Sequence, residues 1–286
     1  MNNSEALKIL LKIIDKYDDA GTSETKKWSK LEEYCSKIST NDLAEEINIR
    51  QDERYDENGD VVEEPWINGN GKEITAQFLE EKINNVIGEI QLQFVEWVNQ
   101  IKIDCKSDKY FLSLFNDSDN YFLSFNYTDT LEKVYDILPD CICHIHGQSS
   151  RNREKIYFGG NIQKEKSLKR VSCLSEALPY IGAIGDDDSL FFPQVMINSI
   201  LRKDVEKILK DNKDKFNRFQ DIEAVYTYGF SYGRVDKPYL EEIYKLSPNA
   251  SWYINAYHQE DYINYQNMLI EIGIPEEKIV CWEIQY

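Results

Sequence analysis

The sequence is short of basic residues: 33 Lys and Arg stand against 51 Asp and Glu, which leaves a net charge of −18 over 286 residues. Because proteins bind DNA and RNA largely through contacts between Lys or Arg and phosphate groups, this balance disfavours a nucleic-acid-binding function. The one basic stretch is residues 151–170, RNREKIYFGGNIQKEKSLKR. We therefore expect no nucleic-acid partner unless that stretch forms a local patch.

Long hydrophobic runs are also missing. No segment approaches the roughly 20 consecutive apolar residues that a membrane-spanning helix needs. The first 19 residues have helical spacing with interleaved charges, and not the pattern of a signal peptide. The six cysteines are scattered and form no CxxC pair. This pattern is typical of a cytoplasmic protein with reduced, mostly buried thiols and no membrane partner.

Residues 1–109 are predicted to form a helical subdomain. Apolar residues from Leu79 to Ile101 recur in steps of three and four, which indicates one long amphipathic helix of about 30 residues, or roughly 45 Å. Residues 50–72 are acidic and rich in turn-forming residues, so we expect an exposed loop there. An apolar fraction of 42% and an aromatic fraction of 13% are ample for a core.

Residues 110–286 are predicted to form an α/β domain. Strand-like and helix-like segments alternate there, which indicates a mostly parallel sheet covered by helices. The predicted strands are Tyr121–Phe125, Cys141–His146, Ile156–Gly159, Ala224–Gly229, Trp252–Asn255 and Ile279–Ile284. The predicted helices are Asp129–Ile137, Gln194–Lys215, Pro238–Leu246 and Glu260–Ile272. Between them, residues 172–192 have the composition of a long acidic loop.

Two polar residues stand at the carboxyl ends of consecutive predicted strands. Asn126 follows the first strand and precedes Tyr127 and Thr128, while His146 ends the second and precedes Gly147. Taken singly, an Asn after a strand is commonly a turn former, and His-Gly commonly just ends a strand. In open α/β sheets, however, ligands bind at this edge. The equivalent positions of the two residues therefore favour a ligand site.

Residues 229–233, Gly-Phe-Ser-Tyr-Gly, match the GxSxG motif of serine hydrolases. That motif needs a helix that starts directly after the serine, whereas Asp236 and Pro238 predict a helix start several residues later. The more natural interpretation is a strand-end loop whose N–H groups and hydroxyl face a nucleotide. Gly229 and Ser231 would then contact the ligand, and Asp236 would cap the next helix or touch the ligand. A serine hydrolase stays an alternative.

The segment Cys141-x-Cys143-His144-x-His146 has residue types that bind zinc. Side chains alternate between the two faces of a strand, so the thiols and the imidazoles point in opposite directions. They cannot all bind one ion while the strand stays regular. We therefore predict no metal site, and buried thiols on one face of the strand.

Several motifs resemble those of the AbiH family of bacterial phage abortive-infection proteins. They are Trp28-x-x-Leu31-Glu32, Phe125-Asn126-Tyr127-Thr128 with Leu131-Glu132, His144-Ile145-His146-Gly147, and residues 228–233 with Asp236 and Tyr239. The succession Asn-Tyr, Leu-Glu, His-Gly is the most specific part, and it more remotely resembles sirtuin-like defence domains. The family typically opens with an apolar strand and a Gly-Asn-Gly-Phe-Asp loop, whereas residues 1–14 here have helical spacing.

The resemblance implies a sirtuin-like, Rossmann-type fold and a role in phage defence. It makes Asn126 and His146 candidate catalytic residues for cleavage of the nicotinamide–ribose bond of NAD. An imidazole, with an ordinary pKa of about 6.5, suits proton transfer near neutral pH. The residues implied to hold the cofactor are Tyr127, Thr128, Gly147, Gly229, Ser231 and Asp236. A catalytically silent nucleotide-binding or interaction module is the alternative, and the expected partners are a homo-oligomer or a phage-derived trigger.

Overall fold

The structure is a computed structural model that describes residues 5–17, 34–35, 37–63, 65–103, 106–107, 111, 120–150, 156–157, 159–161, 202–256 and 258–282. The Trp28–Glu32 motif, most of the basic stretch 151–170 and the predicted loop 172–192 lie outside these residues. The chain divides into two compact units, one from residues 1–101 and 156–204, the other from residues 102–155 and 205–286.

The helices whose ends are described are α1 (Glu5–Tyr17), α2 (Thr40–Glu46), α3 (Ala76–Gln100), α4 (Thr130–Tyr135), α5 (Val205–Asp211), α6 (Lys213–Phe216), α7 (Lys237–Leu246) and α8 (Gln259–Ile272). The strands are β1 (Ile49–Gln51), β2 (Arg54–Tyr55), β3 (Val61–Glu63), β4 (Trp66–Asn68), β5 (Phe122–Ser124), β6 (Ile142–His144), β7 (Gly160–Asn161), β8 (Arg202–Lys203), β9 (Ala224–Tyr226), β10 (Ser251–Ile254) and β11 (Ile279–Cys281). Across the described ranges, no helix is both long and apolar enough to cross a membrane.

Helices α1 and α3 pack together in the first unit. The predicted long helix is confirmed as α3, with 25 residues, and Thr75 caps its start by accepting the Phe78 N–H. The side chains that bury one face of each helix are Leu79, Ile83, Ile87 and Ile90 of α3, and Ile9, Leu10 and Ile13 of α1. Each such side chain stabilises the fold by roughly 1.5–3 kcal/mol relative to an exposed one.

Residues 50–72 contain strands, so the prediction of a loop there was wrong. Strand β1 pairs antiparallel with β4, and β2 pairs antiparallel with β3. Asp56 forms the turn between β2 and β3, where its carboxylate accepts the N–H groups of Asn58 and Asp60. All residues of β2 and β3 are exposed. No alternation of buried and exposed side chains therefore marks these two strands in the sequence.

The second unit contains two small parallel sheets. Strand β5 pairs with β6, and β10 lies between β9 and β11. The predicted α/β architecture with parallel strands is therefore confirmed. In the described residues these strands form two separate ladders, and not the single sheet that the sequence predicts. Trp252, on the central strand β10, is fully buried and anchors the core of the three-stranded sheet.

Two predicted elements differ from the structure. The strand predicted at Ile156–Gly159 is instead β7, which follows it and pairs with β8. The helix predicted at Gln194–Lys215 gives way to β8 and to α5 and α6, with residues 194–201 outside the described part. Asn212 separates the two helices, because its side-chain amide donates to the Ile208 carbonyl and so competes with the main chain.

The other elements predicted after residue 110 are present with shifted ends, as expected for boundaries read from a sequence. Strands β5 and β6 are shorter than predicted, so Asn126 and His146 both lie beyond them. Strand β11 ends at Cys281, and residues 283–286 lie outside the described part.

Candidate functional site

Asn126 and His146 occupy matching positions after β5 and β6. Ser124 pairs with His144 in the parallel ladder, so each candidate lies two residues beyond a paired residue. The Ile145 N–H donates to the Ser124 carbonyl, which keeps the chains side by side just past the strands. The two loops therefore begin at the same end of this small sheet.

His146 is buried among aromatic rings, with 2% of its surface exposed. The rings of Phe125, Tyr127 and Tyr239 lie 5.5, 6.1 and 5.4 Å from it, centre to centre. Its Nε2 lies 3.7 Å from Oδ1 of Asp236. That distance is longer than a hydrogen bond. The Asp236 carboxyl group therefore lies near the imidazole without a hydrogen bond between these two atoms.

The backbone conformation at position 147 explains why a glycine follows His146. The φ of +88° at Gly147 lies in the left-handed region, which residues with a Cβ rarely adopt. The Gly147 N–H donates to the His144 carbonyl and closes a tight turn. The His-Gly pair thus ends the strand and turns the chain immediately after His146.

The loop 229–236 carries Ser231 and Asp236 on either side of Gly233 in the sequence. A Cβ on Gly233 would lie 3.9 Å from the Ser231 hydroxyl and 4.0 Å from Oδ2 of Asp236. Helix α7 starts at Lys237, so the predicted late helix start is confirmed and the turn of a GxSxG nucleophile is not formed. Asp236 stands at the N-cap position without a side-chain cap bond. Its carboxylate instead lies close to His146.

Aromatic side chains join this loop to its surroundings. The Phe230 ring lies 4.7 Å from that of Phe125, the residue before Asn126. Tyr232 stacks on Tyr265 at 4.5 Å and adopts a φ of +53°, which is uncommon for a bulky residue. Burial raises the pKa of the Tyr232 hydroxyl, which therefore stays protonated. The contacts of Phe230 with Phe125 and of Tyr232 with Tyr265 hold the backbone of the loop.

A polar network that the sequence does not signal holds the loops after β5 and β6. Gln148 donates from Nε2 to Oδ1 of Asp129 at 2.7 Å and to Oε1 of Glu132 at 2.6 Å. Ser150 also donates to Oδ1 of Asp129, at 2.7 Å. Asp129 is the N-cap residue of α4 but makes no side-chain cap bond. Its carboxylate serves to hold the loop after β6.

Asp129 makes the stability of this network depend on pH. Burial by itself raises the pKa of Asp129, but hydrogen bonds from Ser150, Lys133 and Gln148 outweigh it, so the pKa lies below its ordinary value. Such a group contributes stability that is fully present above its unfolded pKa of about 3.9 and is lost as the pH falls through the folded pKa. Asp129→Asn should therefore lower the unfolding temperature at neutral pH and make less difference below about pH 4. Thermal unfolding across this range checks the expectation, and a difference that persists unchanged in acid contradicts it.

Asn255 joins the candidate residues although the sequence argument did not single it out. It follows β10 directly, is 5% exposed, and its Oδ1 has no hydrogen-bond partner among the described residues. Buried polar atoms in folded proteins are nearly always paired. The signal in the sequence is the same as for Asn126, namely a polar residue at the carboxyl end of a strand.

The structure does not bring every predicted site residue onto one surface. Asn126, Gly229 and Ser231 are exposed, whereas His146 and Asp236 are buried. Tyr127 and Thr128 are half-buried, and the Thr128 hydroxyl bonds that of Thr130. A cleft of about 490 Å³ borders the loop after β6; the residues of that loop and strand that line it are Ile142, His144, Gly147 and Gln148.

Cys143 is buried beside Tyr121, and burial raises the pKa of its thiol to about 11. His144 points elsewhere and contacts Glu132. In the part of the chain that the structure describes, no three His, Cys, Asp or Glu side chains are grouped so as to hold a metal ion.

Comparison with known proteins gives one assignment. No curated protein and no solved structure matches the chain. Residues 1–256 match the sequence model of a family described as Bacteriophage abortive infection AbiH. That range includes the loops that carry Asn126, His146 and Ser231. The chain therefore belongs to the AbiH family of bacteriophage abortive infection proteins.

Proposed function

We propose that the protein defends bacteria against phage by hydrolysing NAD at the nicotinamide–ribose bond, on a sirtuin-like, Rossmann-type arrangement of strands. Membership of the AbiH family supports the defence role. The observation that carries the chemical proposal is the pair formed by His146 and Asp236, 3.7 Å apart and buried beside the Asn126 loop. A buried imidazole next to a carboxylate is an arrangement suited to general base catalysis.

The reaction needs few groups from the protein. The bond between C1′ of the ribose and the nicotinamide nitrogen breaks, and its electron pair neutralises the pyridinium ring. A water oxygen then bonds to C1′ and gives its proton to His146, which yields nicotinamide and ADP-ribose. Asn126 would orient the ribose and the water. The Asp236 carboxylate would stabilise the imidazolium that forms, because opposite charges at this distance attract strongly in a buried site.

Access to His146 requires a side chain to move, because only 2% of its surface is exposed. Phe125 and Tyr127 flank Asn126 on the same loop, and Tyr127 is half-buried with its ring 6.1 Å from the imidazole. We propose that the Tyr127 side chain moves away from His146 when NAD enters. Once NAD is bound, the Tyr127 ring would cover the reacting ribose and exclude bulk water.

The remaining ligand contacts follow from the strand ends. Gly229 and Ser231 are exposed and would hold the far ribose through main-chain N–H groups and the hydroxyl. Asn255 would accept a hydrogen bond from a ligand hydroxyl or amino group, since its buried Oδ1 has no partner in the described residues. Thr128 and Gly147 would line the nicotinamide side.

The second candidate function is a serine hydrolase, and one observation favours it. Ser231 Oγ and Asp236 Oδ2 each lie about 4 Å from the position that a Cβ on Gly233 would take, and Asp236 lies 3.7 Å from His146. Ser231→Ala separates the two functions. A nucleophilic serine is indispensable, whereas a hydroxyl that only contacts the ribose should raise the KM for NAD and leave kcat nearly unchanged. Nicotinamide release and hydrolysis of a model ester are measured side by side, and loss of both in Ser231→Ala would favour the hydrolase.

The direct biochemical test is product analysis with the purified protein. The proposal predicts nicotinamide and ADP-ribose in equal amounts from NAD, with no hydrolysis of the ester. Binding of NAD without release of nicotinamide would favour the silent nucleotide-binding module. The burial of His146 also favours that module. Isothermal titration on the same sample distinguishes that outcome from absence of binding.

Nucleic acids are not expected among the partners. The net charge of −18 opposes the accumulation of phosphate groups at the surface. Gel-shift experiments with DNA and RNA at low salt should show no tight complex. A submicromolar complex that weakens steeply as salt is added would contradict this expectation and direct attention to residues 151–170.

A further inference from the structure

His144 lies between two hydrogen-bond acceptors. Its Nε2 is 3.1 Å from Oε1 of Glu132, and its Nδ1 is 3.3 Å from the main-chain carbonyl oxygen of Asn126. A carbonyl oxygen can only accept, and an ionised carboxylate can only accept. Both ring nitrogens must therefore donate if both bonds are made. Only the doubly protonated imidazolium has two N–H groups.

We propose that His144, as an imidazolium bridging Glu132 and the Asn126 carbonyl, is a positioning residue for the Asn126 loop. The Ser124 hydroxyl also donates to that carbonyl, at 3.4 Å, so His144 provides the second of its two hydrogen bonds. The inference rests on the proposed role of Asn126 in NAD cleavage. His144 touches neither the reacting bond nor His146, and it acts through the main chain of Asn126. A neutral imidazole has one N–H and can hold only one of its two acceptors.

Of the two hydrogen bonds of His144, the one to Glu132 is the stronger. The carboxylate is charged, and hydrogen bonds to charged acceptors are roughly twice as strong as neutral ones. Gln148 also donates to the same oxygen, which holds the carboxylate in place. The side chains of His144 and Glu132 are only 11% and 14% exposed, so solvent screens their attraction weakly. Deprotonation of His144 should therefore release the Asn126 carbonyl first.

Other charged or titratable groups share the cleft with His144 but are less enclosed. Those that line it besides Glu132 are Tyr121, Asp140, Asp214, Lys215 and Arg218. The last four are exposed, and Arg218 is engaged over the Tyr121 ring and on the Asp140 carbonyl. Among these groups, Glu132 is the one that the structure shows hydrogen-bonded to a ring nitrogen of His144.

The bridge predicts a distinctive pH profile for NAD cleavage. Activity should fall at high pH, because a neutral His144 cannot hold both Glu132 and the Asn126 carbonyl. His144→Gln should lower kcat roughly 10–100-fold with little change in KM, because displacement of a catalytic group by about 1 Å costs that much. It should also abolish the fall in activity at high pH. His258→Gln removes an exposed histidine and serves as the matched control.

The bridge is tested independently of catalysis by NMR of protein labelled with ¹⁵N-histidine and at the main-chain amides. The chain has three histidines, so spectra of His258→Gln and His146→Gln assign His144 by elimination even where His144→Gln does not fold. We expect both ring nitrogens of His144 to carry protons, and the Tyr127 amide signal, next to the Asn126 carbonyl, to shift with the same pH dependence. A His144 ring with one bare nitrogen throughout the folded range, or a Tyr127 amide that does not follow it, overturns the inference.

The kinetic and NMR experiments together distinguish failure of this inference from failure of the proposed function. If the wild-type protein releases no nicotinamide, the proposed function fails and the NMR result alone decides the bridge. If the wild-type protein cleaves NAD while His144→Gln keeps its kcat and its pH profile, the proposed function stands and the positioning role is wrong.

Discussion

Replacing His146 with alanine should lower the rate of nicotinamide release by roughly 10²–10⁴-fold, the usual effect of losing a positioned base. This corresponds to about 3–5 kcal/mol of activation free energy. In the proposed reaction the imidazole accepts the proton of the attacking water, and the Asp236 carboxylate 3.7 Å away would stabilise the resulting charge. In the His146→Ala variant Asp236 remains, but the attacking water has no imidazole to accept its proton.

The His146 variant needs controls for folding, because its ring packs against those of Phe125 and Tyr239. A residue just past a strand end would ordinarily cost about 1 kcal/mol on truncation. The burial of this ring raises the expected cost to about 2–4 kcal/mol. His146→Gln preserves more of the volume and should be just as inactive, while His258→Ala should retain full activity. Nicotinamide release that survives in a folded His146→Gln protein would refute the mechanism.

Replacing Tyr239 with alanine should lower the free energy of unfolding by about 3–5 kcal/mol, the range for truncation of a buried aromatic ring. Tyr239 is fully buried on α7, and its ring contacts those of Phe125, His146 and Phe216. Truncation removes the packing that joins α7 to the loops after β5 and β6. Chemical denaturation monitored by circular dichroism measures the change.

Two variants make the Tyr239 result interpretable. Tyr239→Phe keeps the ring and should lose much less stability than the alanine variant. Leu138→Ala truncates a side chain that is 69% exposed, so it should change the free energy of unfolding by less than about 0.5 kcal/mol. A Tyr239→Ala protein as stable as Leu138→Ala would contradict the packing described around His146.

Local patterns in the sequence predict a good part of this molecule. The spacing of apolar residues predicts α3, since a long helix with one buried face repeats its signal over many turns. Likewise, the composition of the runs Tyr121–Phe125 and Cys141–His146 predicts two strands, and β5 and β6 lie within those runs as a parallel pair. These signals are local, and so they can be read from the sequence alone.

Other features depend on contacts between distant residues. Nothing around Gln148 in the sequence indicates that its amide bridges Asp129 and Glu132, because the contact is created by the chain crossing from β5 to β6. The same holds for Asp236, whose sequence context predicts a helix cap as readily as a neighbour of His146. The hairpin of β2 and β3 escaped prediction because its exposed residues carry no pattern of burial.

The most direct test of the central claim is the NAD content of bacteria that express the protein, followed through phage infection. We predict that NAD falls and nicotinamide appears before lysis in cells with the wild-type protein. In cells with an equal amount of folded Asn126→Ala protein, NAD should stay constant and phage should multiply. Growth arrest of wild-type cells at constant NAD, or an equal fall of NAD with the Asn126→Ala protein, would contradict the account.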